Sequence, residues 1–378
     1  MKATVRTAAG SLLVVGLSGT ELTGMERAWL RLVRPGGIIL FKRNITDAPQ
    51  TRALLDEATG LGAPHSVRCV DVEGGTVNRL RDALAPLPSA QAVGSAMRRL
   101  RKPALARQHG ELIARAVRAF GFNTTLAPVV DLALPESTEV LGSRTAGATA
   151  AEVTDYARAF LAGLAAQGVI GCGKHFPGLG GADGDTHFVM PAIGRTTQQL
   201  WQQDVVPYRE LHAAMPMVMT NHAAFPATPG RNTPASASPY WIATVLRKRI
   251  GYRGIILSDD LEMGGILKFL PVEEAAVAAI RAGTDLVEIC RSAELVLRTY
   301  EALIAEGERS SAFRSLVLQR AREVERKRAR LYAKGIARPL TAKQSEMLHG
   351  QIDRFRECIA ASEADAIAPR ATSPAEAS

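Results

Sequence analysis

Gly168-Val169-Ile170-Gly171-Cys172-Gly173-Lys174-His175 is a short apolar run that ends in two polar side chains. A run of this length bounded by glycine reads as a buried strand, with Lys174 and His175 standing where the strand stops. Working outward, the same pattern recurs along the chain. Residues 11–17 form the first run. Residues 37–41 end in Lys42-Arg43-Asn44, residues 66–70 lead into Asp71, and residues 125–130 lead into Asp131. Residues 217–219 lead into Thr220-Asn221-His222, residues 254–257 lead into Ser258-Asp259-Asp260, and residues 285–290 close the series of eight.

Stretches with helical spacing lie between most of these runs, at residues 48–59, 103–120, 148–167, 239–249, 272–282 and 292–306. Near-continuous apolar strands alternating with helices point to a parallel sheet covered on its outer face. Eight such units fit a closed α/β structure, a single (β/α)8 TIM-type barrel, better than an open doubly wound sheet. The polar residues then fall at the carboxyl ends of the strands, the face on which such barrels carry their chemistry. Residues 312–334 read as a terminal helix outside the barrel. The expected organisation is a catalytic barrel over residues 1–335 and a C-terminal tail over 336–378. The last stretch, 360–378, is rich in Ala, Pro, Ser and Glu and is expected to be disordered.

Composition narrows the class. With 47% hydrophobic and 22% charged residues, the chain suits a soluble globular protein with a sizeable core. The net charge of +9 is local: residues 308–334 hold nine Lys and Arg against three Glu, which supplies +6 of it. That segment has few aromatics to stack bases, so it reads as a solvated helical face and not as a nucleic-acid grip. No run is long enough to span a membrane. Of the four cysteines, Cys69, Cys172 and Cys290 fall in apolar runs and read as small core residues. None forms a Cys-x-x-Cys pair, and the usage suits a reducing, cytoplasmic setting. Lys2 and Arg6 before residues 11–17 resemble a weak leader, but the run reads better as a first core strand.

The stretch that follows Lys174-His175 is Phe176-Pro177-Gly178-Leu179-Gly180-Gly181-Ala182-Asp183-Gly184-Asp185-Thr186-His187. Its proline and glycines favour a loop over a helix. In an extended segment Asp185 and His187 point to the same side, and a carboxylate beside an imidazole orients it and supports its protonated form. A polar surface loop has the same spacing. Asp71, Asp131 and the Asp259-Asp260 pair follow apolar strands, where an unpaired carboxylate would be costly to bury, so each needs a partner or a function. Asp259 is placed to reach into the barrel mouth as a nucleophile, although Ser258 or either Asp also suits a helix N-cap. Arg79, Arg144 and Lys174 are candidate hydroxyl or carboxylate binders, and a surface position fits Arg144 as well. His175, His187, His212 and His222 match no helical ligand pair, so no metal is expected.

Lys174-His175-Phe176-Pro177-Gly178 with Asp185-Thr186-His187 and Pro191 resembles the signature of family-three glycoside hydrolases of the NagZ type, the β-N-acetylhexosaminidases. Asp71 with Glu73-Gly74-Gly75 and Arg79, Ala127-Pro128-Val129 with Asp131, Gly142 with Arg144, and Ser258-Asp259-Asp260-Leu261 with Met263 continue the likeness in family order over about residues 10–300. The resemblance implies a retaining exo-β-N-acetylglucosaminidase without a cofactor. It implies Asp259 as nucleophile, His187 as acid/base and Asp185 as its orienting partner. It also implies that Asp71, Arg79, Arg144, Lys174 and His175 bind sugar hydroxyls. A small glycan or muropeptide is then the expected partner, with no nucleic acid or membrane, and the chain is expected to be a monomer. A phosphorylase or β-glucosidase on the same scaffold, a non-catalytic sugar-binding barrel and a Schiff-base aldolase using Lys174 are the alternatives. The departures are Leu179 in place of a histidine, Val72 and Thr76 around Glu73-Gly74-Gly75, and Asn221 before His222. They put the shape of the subsites in question more than the chemistry.

Overall fold

Eight parallel strands close into a barrel in the structure, a computed structural model that describes residues 4–182 and 190–367, with helical side chains described as far as Ser362. The barrel strands are β1 (Leu13–Val15), β2 (Gly37–Leu40), β3 (Val67–Val70), β6 (Thr124–Thr125), β7 (Ile170–Phe176), β8 (Met217–Thr220), β9 (Ile255–Asp260) and β10 (Leu286–Ile289). A two-stranded hairpin of β4 (Val72–Gly74) and β5 (Val77–Asn78) follows β3. Each barrel strand pairs with its neighbours in sequence, and β10 closes on β1 through Leu13↔Val287 and Val15↔Ile289. The strands are buried because their Val, Ile, Leu and Cys side chains face either the barrel interior or the helical layer. The intervening helices include Ala48–Gly60, Ala104–Ala119, Ala150–Ala166, Val272–Ala282 and Ala293–Arg309.

All eight apolar runs lie on barrel strands, with two local differences. Regular pairing in the fourth run is confined to Thr124–Thr125, and beyond it only Val129 bridges to Lys174. Pro128 has no N–H to give to the ladder, and its carbonyl instead accepts the Lys174 N–H. At the start of the chain, the helix Val5–Ser11 occupies part of the span read as strand. The hairpin β4–β5 is an element that the strand–helix rhythm does not predict. Gly74 and Gly75 turn it with φ of 94° and 60°. A Cβ on Gly74 would meet the Pro88 carbonyl oxygen at 2.1 Å, so only glycine fits there.

The basic segment needs correction as a solvated face. It forms the helix Ser311–Leu331, and several of its cations point at the barrel. Arg320 and Lys327, together with Arg247, surround the buried carboxylate of Asp285 at the foot of β10. Arg328 is buried and donates to the Gly36 carbonyl. These charges tie the helix to the face of the barrel opposite the strand ends. Beyond it the tail holds a second element, the helix Ala342–Ile367, whose Leu348, Ile352, Phe355 and Ile359 are buried. Residues 360–367, expected to be disordered from composition, continue this helix, and residues 368–378 lie outside the described residues. Its apolar period is short and was masked by the polar composition around it. Among the described residues no helix is long and apolar enough to cross a membrane. All four cysteines are free, and only Cys358 is exposed.

Candidate active site

The carboxyl ends of the strands surround a cavity of about 420 Å³. Asp71, Arg79, Arg144, Lys174, His175 and Asp259 all line it. They come from the end of β3, the segment after β5, a short 3-10 turn at Gly142–Arg144, the end of β7 and the end of β9. One apolar strand after another delivers a polar group to the same face, as parallel closure requires. Asp185 and His187 lie outside the described residues.

A charged network fixes one wall of the cavity. Arg144 grips Glu73 with two hydrogen bonds, Nε to Oε2 and Nη2 to Oε1, each 2.9 Å long. Lys174 Nζ lies 2.7 Å from Glu73 Oε1 and 2.8 Å from Asp71 Oδ1. Burial pushes the Glu73 carboxyl up, but Arg144 and Lys174 overcome it and hold it at about 2. Burial pulls Lys174 down, but Asp71 and Glu73 outweigh this and raise it above the ordinary lysine range. Lys174 is therefore an ammonium group, not the neutral amine that a Schiff-base lysine must supply. Arg79 is the loosest member: its Nη2 stands 3.9 Å from Asp71 Oδ2, and its guanidinium lies 5.8 Å from the Phe41 ring centre. The hairpin makes this wall possible, since the Arg79 N–H donates to the Asp71 carbonyl across its base.

His175 is held from two sides. Its ring Nδ1 lies 2.7 Å from Asp131 Oδ2, and its Nε2 lies 3.2 Å from Arg144 Nη2. Arginine can only donate, so Nε2 accepts and Nδ1 carries the proton given to Asp131. Asp131 Oδ1 also accepts the backbone N–H of His175 at 3.2 Å and that of Leu179 at 2.8 Å. This buried carboxylate thus organises the whole Lys174-to-Leu179 turn, a role that strand-end position alone did not assign to it. The Leu179 contact is made by backbone, which explains how the turn persists with leucine in place of histidine. Asn221 braces the turn from β8, donating its Nδ2 to the His175 carbonyl at 3.0 Å and accepting the Ala223 N–H on Oδ1 at 3.0 Å.

Asp259 and Asp260 are adjacent in sequence but differ in their partners. Burial pushes the Asp259 carboxyl up, but His175, His222, the Asp260 N–H and Lys174 together hold it below the ordinary aspartate range. The Asp260 N–H reaches Asp259 Oδ1 at 2.9 Å. Asp259 is accordingly ionised and faces the cavity. Asp260 lines the cavity as well, but its Oδ1 caps the following turn by accepting the Glu262 N–H at 3.0 Å, and burial raises it to about 6. His222 sits behind the pair. Its Nε2 donates to the Asp260 carbonyl at 3.0 Å, while Nδ1 accepts from Ser236 Oγ at 2.7 Å. The Glu262 carboxylate is occupied by the backbone N–H groups of Arg291 and Ser292.

Residues 4–326 match the N-terminal domain of glycosyl hydrolase family 3. A β-hexosaminidase of Chromobacterium violaceum is 38% identical over 285 residues, 75% of this chain and 79% of that protein. The β-hexosaminidase of Bordetella pertussis is 38% identical over 283 residues, 74% of this chain and 80% of its own. Among solved structures, a family 3 β-N-acetylglucosaminidase from a Paenibacillus species has a TM-score of 0.85 at 30% identity, covering 94% of this chain and 69% of that one. NagZ from Neisseria gonorrhoeae, in complex with N-trifluoroacetyl-D-glucosamine, has a TM-score of 0.75 at 28% identity, covering 93% and 98%.

Proposed function

The chain belongs to glycosyl hydrolase family 3 and is a glycoside hydrolase, and from that premise we propose that it is a retaining exo-β-N-acetylglucosaminidase acting on muropeptides. The observation that carries the reading is the ionised Asp259 at the end of β9, facing the cavity that Asp71, Arg79, Arg144, Lys174 and His175 also line. Asp259 attacks the anomeric carbon as the bond to the leaving oxygen breaks, which forms a glycosyl ester. Water then attacks the same carbon and releases Asp259, so two inversions give net retention. Asp71, Arg144 and Lys174 hold the sugar hydroxyls with charge-assisted hydrogen bonds.

The acid/base in this reading is His187, oriented by Asp185. Two carboxylates that could compete for the role are poorly suited to it. Glu73 is an ion held at about 2 by Arg144 and Lys174, so it carries no proton to give at neutral pH. Glu262 is turned to backbone donors. The β-hexosaminidase names of the relatives support the N-acetyl sugar. Lys42, Arg43, Arg79 and Arg291 line the same cavity and favour an acidic aglycone, such as a peptide-bearing sugar acid. The free thiols suit cytoplasmic action.

The decisive assay compares an aryl β-N-acetylglucosaminide with the matching aryl β-glucoside, each with and without phosphate. Preference for the N-acetyl sugar, indifference to phosphate, and release of N-acetylglucosamine from a muropeptide are expected. A sugar phosphate as main product would make the enzyme a phosphorylase.

A further inference from the structure

Glu288 of β10 is a carboxylic side chain inside the barrel for which the site described so far has no use. It lines the cavity that holds Asp71 and Asp259 and is only 2% exposed. Its backbone N–H donates to Ser258 Oγ at 3.1 Å, which fixes the strand position. Among the described residues its Oε1 has no hydrogen-bond partner. The same cavity is also lined by the apolar side chains of Ile39, Leu126 and Met219. An apolar residue would fill the same position on the strand without leaving a buried polar atom unpaired, which is costly.

We propose that Glu288 is a specificity-determining residue whose carboxyl group hydrogen-bonds one hydroxyl of the bound sugar. This rests on the reading that the cavity takes a sugar. Burial, together with the nearby carboxylates of Asp71, Asp259 and Asp260, keeps the Glu288 carboxyl protonated well above the ordinary glutamate range. It is therefore a neutral acid with one O–H to donate, and the sugar hydroxyl accepts. A neutral donor suits this place, because a third anion beside Asp71 and Asp259 would raise the Asp259 carboxyl and work against the ionised nucleophile. Discrimination follows from the orphaned atom: a sugar that brings the matching hydroxyl satisfies it, whereas one without it leaves it unpaired.

The test uses the full chain, with Glu288→Gln and Glu288→Leu, on 4-nitrophenyl β-N-acetylglucosaminide and its 3-, 4- and 6-deoxy analogues. Wild-type turnover of the parent glycoside establishes the sugar reading independently of either variant, and wild-type inactivity on it would sink that reading instead. Glu288→Leu should lose about 10- to 100-fold in kcat/KM on the parent and on two analogues, but less than about threefold on the one lacking the contacted hydroxyl. Glu288→Gln keeps an N–H donor and should stay within about fivefold of wild type on the parent. Thermal melting of each variant accompanies the kinetics. Parent activity unchanged in Glu288→Leu, with a higher Tm, would make Glu288 a core filler and overturn the proposal. Equal losses on all four sugars would do the same. Losses that grow with the basicity of the leaving group, with Gln as poor as Leu, would make Glu288 a proton donor and overturn the binding role.

Discussion

Asp131 and His175 sit on consecutive barrel units, 44 residues apart, and the 2.7 Å bond between Oδ2 and Nδ1 sets the tautomer of the imidazole. The same carboxylate holds the backbone N–H groups of His175 and Leu179, so it positions the turn that carries two of the cavity-lining side chains. Asp131→Asn should weaken all three contacts at once. The expected result is a fall of about 10- to 100-fold in kcat/KM and a loss of about 2 kcal/mol in stability, read by kinetics and thermal melting of the same preparation. Unchanged kinetics would mean that the turn is held by the barrel alone.

Asp259→Ala should remove about four orders of magnitude in kcat while leaving the melting temperature near that of wild type. A 2-fluoro sugar with a good leaving group should trap the glycosyl ester on Asp259, found by peptide mass spectrometry. Labelling of Asp260 or Glu73 would move the nucleophile.

His187→Ala should divide substrates by leaving group. Proton transfer matters most where the departing oxygen is basic, so a natural glycoside should lose about 10²–10⁴-fold and an acidic-phenol glycoside less than about tenfold. Asp185→Asn should give a milder form of the same pattern. Equal losses on the two substrates would turn His187 into a binding residue.

Glu73 gives a pH signature with a definite sign. Its carboxyl is held at about 2 in the folded state against an ordinary 4.5. Its stabilising contribution is therefore fully present above about pH 4.5 and is lost as pH falls toward 2, where the folded group also takes up a proton. Glu73→Gln leaves the Arg144 charge without its carboxylate partner and should cost about 3 kcal/mol at pH 7. The gap between wild type and variant should narrow steadily between pH 5 and pH 3 in denaturant titrations. A gap that stays constant would show that shape, not charge, supports the site.

Removing residues 336–378 should be costly. The helix Ala342–Ile367 buries Leu348, Ile352, Phe355 and Ile359, and the Phe355 ring stacks on His109 at 5.9 Å. Four buried apolar side chains are worth several kcal/mol, so the truncated chain should melt about 10 °C lower or fail to stay soluble. A melting temperature equal to wild type would make the helix an ornament of the barrel.

The sequence by itself determined the barrel and the rim of its site. A period of apolar runs separated by helical spacing leaves a parallel closed sheet as the economical way to bury every run, and polar residues at run ends must then meet on one face. That logic, with the family motif, picked out Asp71, Lys174, His175 and Asp259, because each sits at the carboxyl end of a strand or just beyond it. Only the tertiary structure decided what these groups do to one another. Glu73 and Arg144 are 71 residues apart and neither lies on a barrel strand, so their clamp was invisible until the hairpin and the 3-10 turn came together. Asp259 and Asp260 both line the cavity, and the difference between them likewise depends on which carboxyl accepts the Glu262 N–H and which is held ionised by its neighbours. The cations of Ser311–Leu331 looked solvated because a helix's charges say nothing of their partner, and the buried Asp285 lies beyond any local pattern. Local periodicity fixes which surface a residue occupies, while pairing between distant segments fixes its charge and its role.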